Sequence, residues 1–322
     1  MRKIEHHITC LFLIILLSNC SQKIQTSTEN AYLGQNPPGL IPEIFAPGIV
    51  STKYHEHSSP NFTSDKNEMI YTLSCEHGHV IMYMKREKQK WSIPKPLPFS
   101  GTYSDDAHVW ANDGMQLYFR SNRPVDTDEG KNEYRNWVVT RNDTSWGEPK
   151  RNDFFAYSFT KTGTNYFYMK TDSTGWDIFR SEPTDHYQES VKISMNINSD
   201  NDEVTPFVAP DESYLIFSSK GRGDAIGIMD LYISFKEEDG SWSDAKNMGK
   251  PINIPGHISR FPRVSPDGKY LFYWSNIEND QTSGDSLSAV AKALQSYNPW
   301  RPANGKDGDI YWVSTKIIEK YR

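Results

Sequence analysis

One module of about fifty residues, built from short apolar runs, recurs along most of this 322-residue chain. Its fullest copy is Glu203 to Asn253. There "TPFVA" meets a Pro-Asp turn, and the alternating run "SYLIFSS" leads through a Gly-rich loop to "DLYISF". A turn carrying Trp242 then enters "KNMGKPIN". Each run is short, rich in β-branched and aromatic residues and bounded by Pro, Gly, Asp or Ser, which is how strands read in sequence. The aromatic that ends the second run serves as a ruler: Tyr71, Phe119, Tyr168, Phe217 and Tyr273 lie 48, 49, 49 and 56 residues apart. A four-strand unit cannot bury its apolar face alone, and stacking copies around an axis covers it. The period therefore predicts an all-β chain folded as a single β-propeller of about five four-stranded blades, six being the alternative count.

At these residues the chain resembles a known repeat. "VSPDGKYLFYWSN", Val264 to Asn276, is similar to the Ser-Pro-Asp-Gly repeat of WD40-like, TolB-type propellers, and "APDESYLIFSS", Ala209 to Ser219, is a variant of it. "NFTSDKNEMIYTLS" and "WANDGMQLYFRSN" keep the Asp and lose the Pro, and "FTKTGTNYFYMKT" loses both. The likeness runs from Ile41 to the C-terminus. It implies a TolB-like propeller of a Gram-negative cell envelope, where peptidoglycan-associated proteins carry similar repeats and six blades are common. One propeller scaffold carries many unrelated activities, so the resemblance speaks to architecture before function.

The last unit has no evident outer strand before the C-terminus, while the N-terminus has a segment to spare. "PEIFAPGIVS", Pro42 to Ser51, stands where such a strand belongs and matches "KNMGKPIN" in placement. We expect it to complete the last blade and close the ring, removing an exposed sheet edge.

Residues 1–20 open with Arg2 and Lys3, continue through the apolar run Ile8 to Leu17 and end in "LSNC". The run is too short to span a bilayer and reads as a secretory signal peptide. Leu17-Ser18-Asn19-Cys20 resembles a lipobox, which makes Cys20 the expected lipidation site and the protein a periplasmic or outer-membrane lipoprotein. Residues 21–38 are polar and aperiodic, a flexible tether, and residues 39–322 form the propeller domain. Of three cysteines only Cys75 lies in that domain, so no disulfide within it is possible. The one helical pattern, Asp285 to Gln295, sits in the insertion that lengthens the last spacing.

In a propeller the first strand of each blade lines the central channel. Aligning the units brings the candidate ligand-binding residues His55, His57, Asp105, Asp106, His108, Trp110, Glu203, Arg260 and Arg263 to one mouth, with Glu56, Asp202 and His257 beside them. The His55-x-His57 spacing can ligate a metal from alternating strand positions, but a polar channel entrance explains it as well, and no metal is assigned. Asp105, Asp106 and Glu203 have the chemistry of an acid and base pair, although such carboxylates more often cap turns or pair with arginines. Trp110 offers a stacking surface for a sugar or side chain, or packs between blades. The acidic loops Asp126 to Gly130 and Asn198 to Glu203 carry oxygen ligands without completing a calcium loop.

No Gly-x-Ser-x-Gly elbow, phosphate loop, His-Glu-x-x-His or Cys-x-x-Cys motif occurs, and no cofactor is expected. A formal net charge of −6 and a pI near 5.9 argue against nucleic acid. The expectation is a non-catalytic binding or scaffold protein, tethered to the membrane by its lipid anchor, holding a peptide, glycan or envelope protein at the channel face. The alternative is a carbohydrate-active hydrolase or lyase using carboxylate and His residues at the same mouth.

Overall fold

The computed structural model describes residues 30–52, 54–76, 78–125, 133–142, 145–171, 175–277 and 308–322. The signal segment with Cys20, the tether up to residue 29, the acidic loop Asp126 to Gly130 and the helical pattern Asp285 to Gln295 lie outside them.

The described strands form five antiparallel sheets around a common axis, a five-bladed β-propeller. After β1 (Glu43–Ile44), blade 1 holds β2 (Asn61–Phe62), β3 (Glu68–Cys75), β4 (Gly78–Glu87), β5 (Lys90–Trp91) and β6 (Lys95–Pro96), the last pairing with β4. Blade 2 is β7 (Asp105–Trp110), β8 (Gln116–Ser121), β9 (Arg135–Thr140) and β10 (Lys150–Arg151). Blade 3 is β11 (Ser158–Phe159), β12 (Asn165–Thr171), β13 (Gly175–Ser181) and β14 (Ser190–Lys192). Blade 4 is β15 (Asp202–Val208), β16 (Tyr214–Lys220), β17 (Asp230–Phe235) and β18 (Lys246–Asn247). Blade 5 contains β19 (Ser259–Val264), β20 (Tyr270–Ser275) and β21 (Asp309–Ser314), and its fourth strand is β1.

The expected closure is therefore present. Glu43 pairs with Trp312 and Ile44 with Tyr311. A two-residue strand carries little by itself, and the side chains behind it do most of the holding. Phe45 is fully buried, with its ring centroid 5.0 Å from that of Phe272 and 5.2 Å from that of Trp312. Asn198 and Asn253 each clamp the third strand of their blade, accepting from the backbone N–H of Ile178 or Leu231 and donating to the same residue's carbonyl. Ser51 makes the equivalent pair of contacts with Ile310, so the N-terminal segment supplies the clamp as well as the strand. The C-terminal segment adds no sixth blade: Thr315–Tyr321 is a 3-10 helix that buries Ile317 and Ile318.

The core lies between blades. Four of the five ruler aromatics point at the preceding blade: Tyr71 joins a cluster with Phe272 and Trp312, Phe119 one with Ile70 and Ile81, Phe217 one with Tyr166 and Ile178, and Tyr273 one with Ile216 and Ile233. In blade 3 the ruler slips by one. Phe167, 48 residues after Phe119, packs with Tyr157 and Phe179, whereas Tyr168 is only partly buried. Successive strand residues face opposite sides, so a one-residue slip moves a side chain from core to channel. The seam between blades 2 and 3 is also the thinnest, its buried cluster being Tyr157, Phe167 and Phe179. Trp91, Trp146 and Trp242 occupy one equivalent place, each pairing back onto the end of its third strand.

Candidate functional site

The first strands of blades 2, 4 and 5 share an irregularity that period counting could not reveal. Between Asp106 and Val109, Val204 and Phe207, and Arg260 and Arg263, three steps on the inner strand oppose two on its neighbour. Each is a one-residue bulge, and each contains a residue with positive φ: Ala107 at 47°, Thr205 at 51° and Phe261 at 56°. A bulge bends the strand and re-aims the side chains around it.

Just before the bulge, side chains alternate in role. Asp105 and Glu203 stand opposite Ser121 and Ser219, and both are fully buried within their blades. Asp105 accepts from Arg123 at 2.9 Å, and Glu203 from Arg222 at 2.9 Å and from Ser199 Oγ at 2.7 Å. The two arginines in turn stack on ruler aromatics, Arg123 over Phe119 and Arg222 over Phe217. Arg222 opens the sequence Arg222-Gly223-Asp224, whose Asp224 accepts from Tyr232 OH at 2.8 Å, so this segment is a tied-down turn. In blade 1, Glu56 is buried, takes hydrogen bonds from Thr52 N and Oγ1, and burial pushes its pKa well above the ordinary carboxylate range. These carboxylates hold blades together.

His57 and Asp106, the residues after Glu56 and Asp105, face a cavity of about 190 Å³ inside the channel, as does Arg260, the residue before the bulge in β19. Ser58, Ser59, Ala107, His108, Phe261 and Arg263 line it from the same strands. Arg120 and Tyr168, equivalent positions on the second strands of blades 2 and 3, close it with Tyr157.

Three guanidinium groups, Arg120, Arg260 and Arg263, thus meet one carboxylate, Asp106. No ion pair within 4.0 Å engages any of the three among the described residues. Arg120 stacks over Phe155 and Tyr134, and Arg260 over Phe261. Arg263 is held more firmly, stacked over Tyr157 and donating to the carbonyls of Tyr157 at 2.9 Å and Pro206 at 3.4 Å. Asp106 Oδ1 and Arg260 Nε are buried without a hydrogen-bond partner, a costly state that marks a site for scrutiny.

Burial dominates the ionisation of the lining. It lifts Asp106 to about 6, with Arg120 pulling the other way. It lowers His57 to about 2, reinforced by His79, His55, Arg260 and His108, and lowers His108 to about 3 and His79 to about 4. The imidazoles are therefore uncharged at neutral pH and the arginines set the sign of the field. His108 Nδ1 is also bonded to Thr72 Oγ1 at 3.0 Å.

Of the residues expected at the mouth, His57, Asp106, His108, Arg260 and Arg263 line this cavity. His55 stands beside it, its ring centroid 5.9 Å from those of both His57 and Trp274. Asp202 accepts from the backbone N–H of Trp176, and His257 Nδ1 is buried without a partner. Trp110 lies between blades 1 and 2, stacked 5.7 Å from Trp146 with Arg141 above it, and its indole N–H donates to Asn61 O. It lines a different cavity, of about 170 Å³, together with Asn61, Val109 and Phe207. Cys75, the last residue of β3, is buried, and burial pushes its thiol up to about 12, which leaves it unreactive.

Arg120, Tyr157, Tyr168 and His79 escaped the sequence reading. Arg120 follows its ruler aromatic directly, and Tyr168, read as a ruler itself, follows the buried Phe167 in the same way; alternation was the available signal. His79 follows a second His-x-His spacing in "CEHGHV", on a third strand rather than a first.

No family model matches the chain, and no curated protein matches it. Among solved structures, TolB from Acinetobacter baumannii is similar at 11% identity and a TM-score of 0.46, over 81% of this chain and 57% of that one. The β-propeller domain of the Trilobed protease from Pyrococcus furiosus aligns at 12% identity and a TM-score of 0.40, over 70% and 62%. A GH43 protein from Bacillus licheniformis aligns at 12% and 0.43, over 75% and 52%. The chain spans under two thirds of the length of each of these three, and at such identities the likeness concerns the fold alone.

Proposed function

We propose that this protein is an exported, non-catalytic binding module that holds an acidic group of a peptide, glycan or protein partner in the channel cavity. The observation that carries the reading is charge: three guanidinium groups with no ion-paired carboxylate among the described residues converge on a cavity whose lining offers one carboxylate. A cavity of about 190 Å³ is smaller than the roughly 300–1,000 Å³ of sites that enclose a whole small molecule. It admits a terminal carboxylate or phosphate while the rest of the partner lies on the blade loops outside. A lipid anchor at Cys20 behind a flexible tether would keep such a module at a membrane surface, as the "LSNC" segment suggests.

A glycoside hydrolase of the usual two-carboxylate kind would need a second available carboxylate about 5–10 Å from Asp106. Asp105 and Glu203 are engaged by Arg123 and Arg222, and no observation favours that reading.

Calorimetric titration with acidic peptides and acidic glycans, against their amidated or esterified counterparts, tests the proposal. A charged hydrogen bond is worth about 1.5–3 kcal/mol, so Arg260→Ala and Arg120→Ala should each weaken binding by roughly tenfold or more with melting unchanged. Equal affinity for charged and neutralised ligands, or no loss in either variant, would overturn it.

A further inference from the structure

We propose that His57, His79 and Asp106 form a transition-metal site at the edge of the channel cavity, suited to zinc, with its remaining coordination positions open to that cavity. One ligating atom from each side chain lies within 4.8 Å of the others. The three come from separate segments: His57 from the entry of blade 1, His79 from β4 and Asp106 from β7 of the next blade.

Two imidazoles and a carboxylate are a donor set that zinc accepts, and three protein ligands leave room for water or an exogenous ligand. Bonds near 2.0 Å put neighbouring ligand atoms about 3.3 Å apart, so the group must tighten as the ion enters. The His57 and His79 rings stack with centroids 3.9 Å apart and planes 20° from parallel, which already brings the two imidazoles together, and one ring must turn out of the stack for both lone pairs to meet a single ion. Backbone contacts fix both residues, His57 N donating to Thr72 O and His79 N to Ser104 Oγ. Ser74 Oγ bonds His79 Nδ1 at 3.2 Å, the kind of outer contact that orients a ligating imidazole and leaves Nε2 for the metal. Asp106 Oδ1 is buried without a partner, an acceptor that a cation would satisfy.

In the sequence the His-x-His spacing pairs His57 with His55, without a metal being assigned there. The structure replaces His55 with His79, because His55 lies against Trp274 and its ring centroid is 5.9 Å from that of His57. Arg120 and Arg260 also face this corner and oppose a bare dication. A bound anion would relieve that repulsion, so metal and anion should assist one another, and by linkage each raises the other's affinity by the same factor.

The test is calorimetric titration of the purified, chelator-treated full chain with zinc chloride alone, backed by the visible absorption of cobalt(II) in its place. The expected result is one ion per chain, with affinity lowered at least tenfold by His79→Ala and by Asp106→Asn and kept within about threefold by His55→Ala. Ser74→Ala should cost roughly tenfold, as outer-sphere partners do. Melting curves of the metal-free variants show whether each folds, and Asp106→Asn carries the test if His79→Ala does not. Absence of stoichiometric binding, or binding that survives both ligand substitutions, would overturn the assignment. Zinc titration without anion and anion titration without metal are separate experiments, so either site can fail while the other stands.

Discussion

Asp267 ties three distant parts of the ring together. Its carboxylate accepts from Tyr32 OH at 2.9 Å, Lys66 Nζ at 3.0 Å and Ser265 Oγ at 2.7 Å. Burial pushes its pKa up, but the hydrogen bonds from Ser265, Lys66 and Tyr32 outweigh it and hold the group at about 2. A depressed folded pKa means stabilisation that is fully present above the unfolded value near 4 and is lost as the pH falls through about 2. Asp267→Asn should therefore cost about 1–2 kcal/mol at pH 7, discounted for partial exposure, and progressively less at pH 3. Urea melts of both proteins at the two pH values measure this, and a pH-independent difference would contradict it. Trp110 illustrates how far single residues were legible. An aromatic beside a polar strand reads equally as stacking surface or packing, and only the neighbouring Trp146 and Arg141 decide for packing. Trp110→Ala should cost about 3–5 kcal/mol in a thermal or urea melt and leave affinity for acidic ligands within about twofold.

At the scale of elements, the period announced the blades because four of the five ruler aromatics, Tyr71, Phe119, Phe217 and Tyr273, are buried side chains in seams, and seams repeat. The bulges stayed hidden. An extra residue in an inner strand leaves the apolar pattern on either side intact, so alignment by period cannot say whether Asp105 or Asp106 faces the channel. Blade 3 shows the same limit from the other side: its three adjacent aromatics, Tyr166, Phe167 and Tyr168, allow two registers, and only packing against Phe179 and Tyr157 selects one. The bulge geometry carries its own prediction. Left-handed backbone costs an L-residue with a Cβ roughly 1–2 kcal/mol, so Ala107→Gly should be neutral or stabilising by up to about 1 kcal/mol, and Ala107→Val clearly destabilising. The reverse order in a melting series would contradict the positive φ at that residue. The closing segment was legible by elimination, as an unpaired N-terminal strand beside a blade that lacked one. Phe45→Ala, which empties its buried socket beside Phe272 and Trp312, should cost about 3–5 kcal/mol.

For the whole molecule, five seams of unequal thickness close one ring. The clusters between blades 4 and 5 and between blades 5 and 1 are broad, while the blade 2 and 3 seam rests on Tyr157, Phe167 and Phe179. Hydrogen exchange should be faster in β9 and β12 than in β16 and β20, and equal protection would mean that the ring opens only as one unit. No helix among the described residues is long and apolar enough to cross a membrane. The proposed lipid anchor at Cys20 predicts that Cys20→Ala moves the protein out of the membrane fraction. Which chemistry the ring serves was the least legible feature, because the cavity is assembled from residues up to 206 positions apart, from His57 to Arg263, and no local motif encodes their meeting. The most direct test is a crystal structure of the protein grown with a small dicarboxylate at neutral pH. The account predicts the anion in the channel cavity, within hydrogen-bonding distance of Arg120 and Arg260. Both guanidinium groups turned onto Asp106, with the anion excluded at saturating concentration, would contradict it.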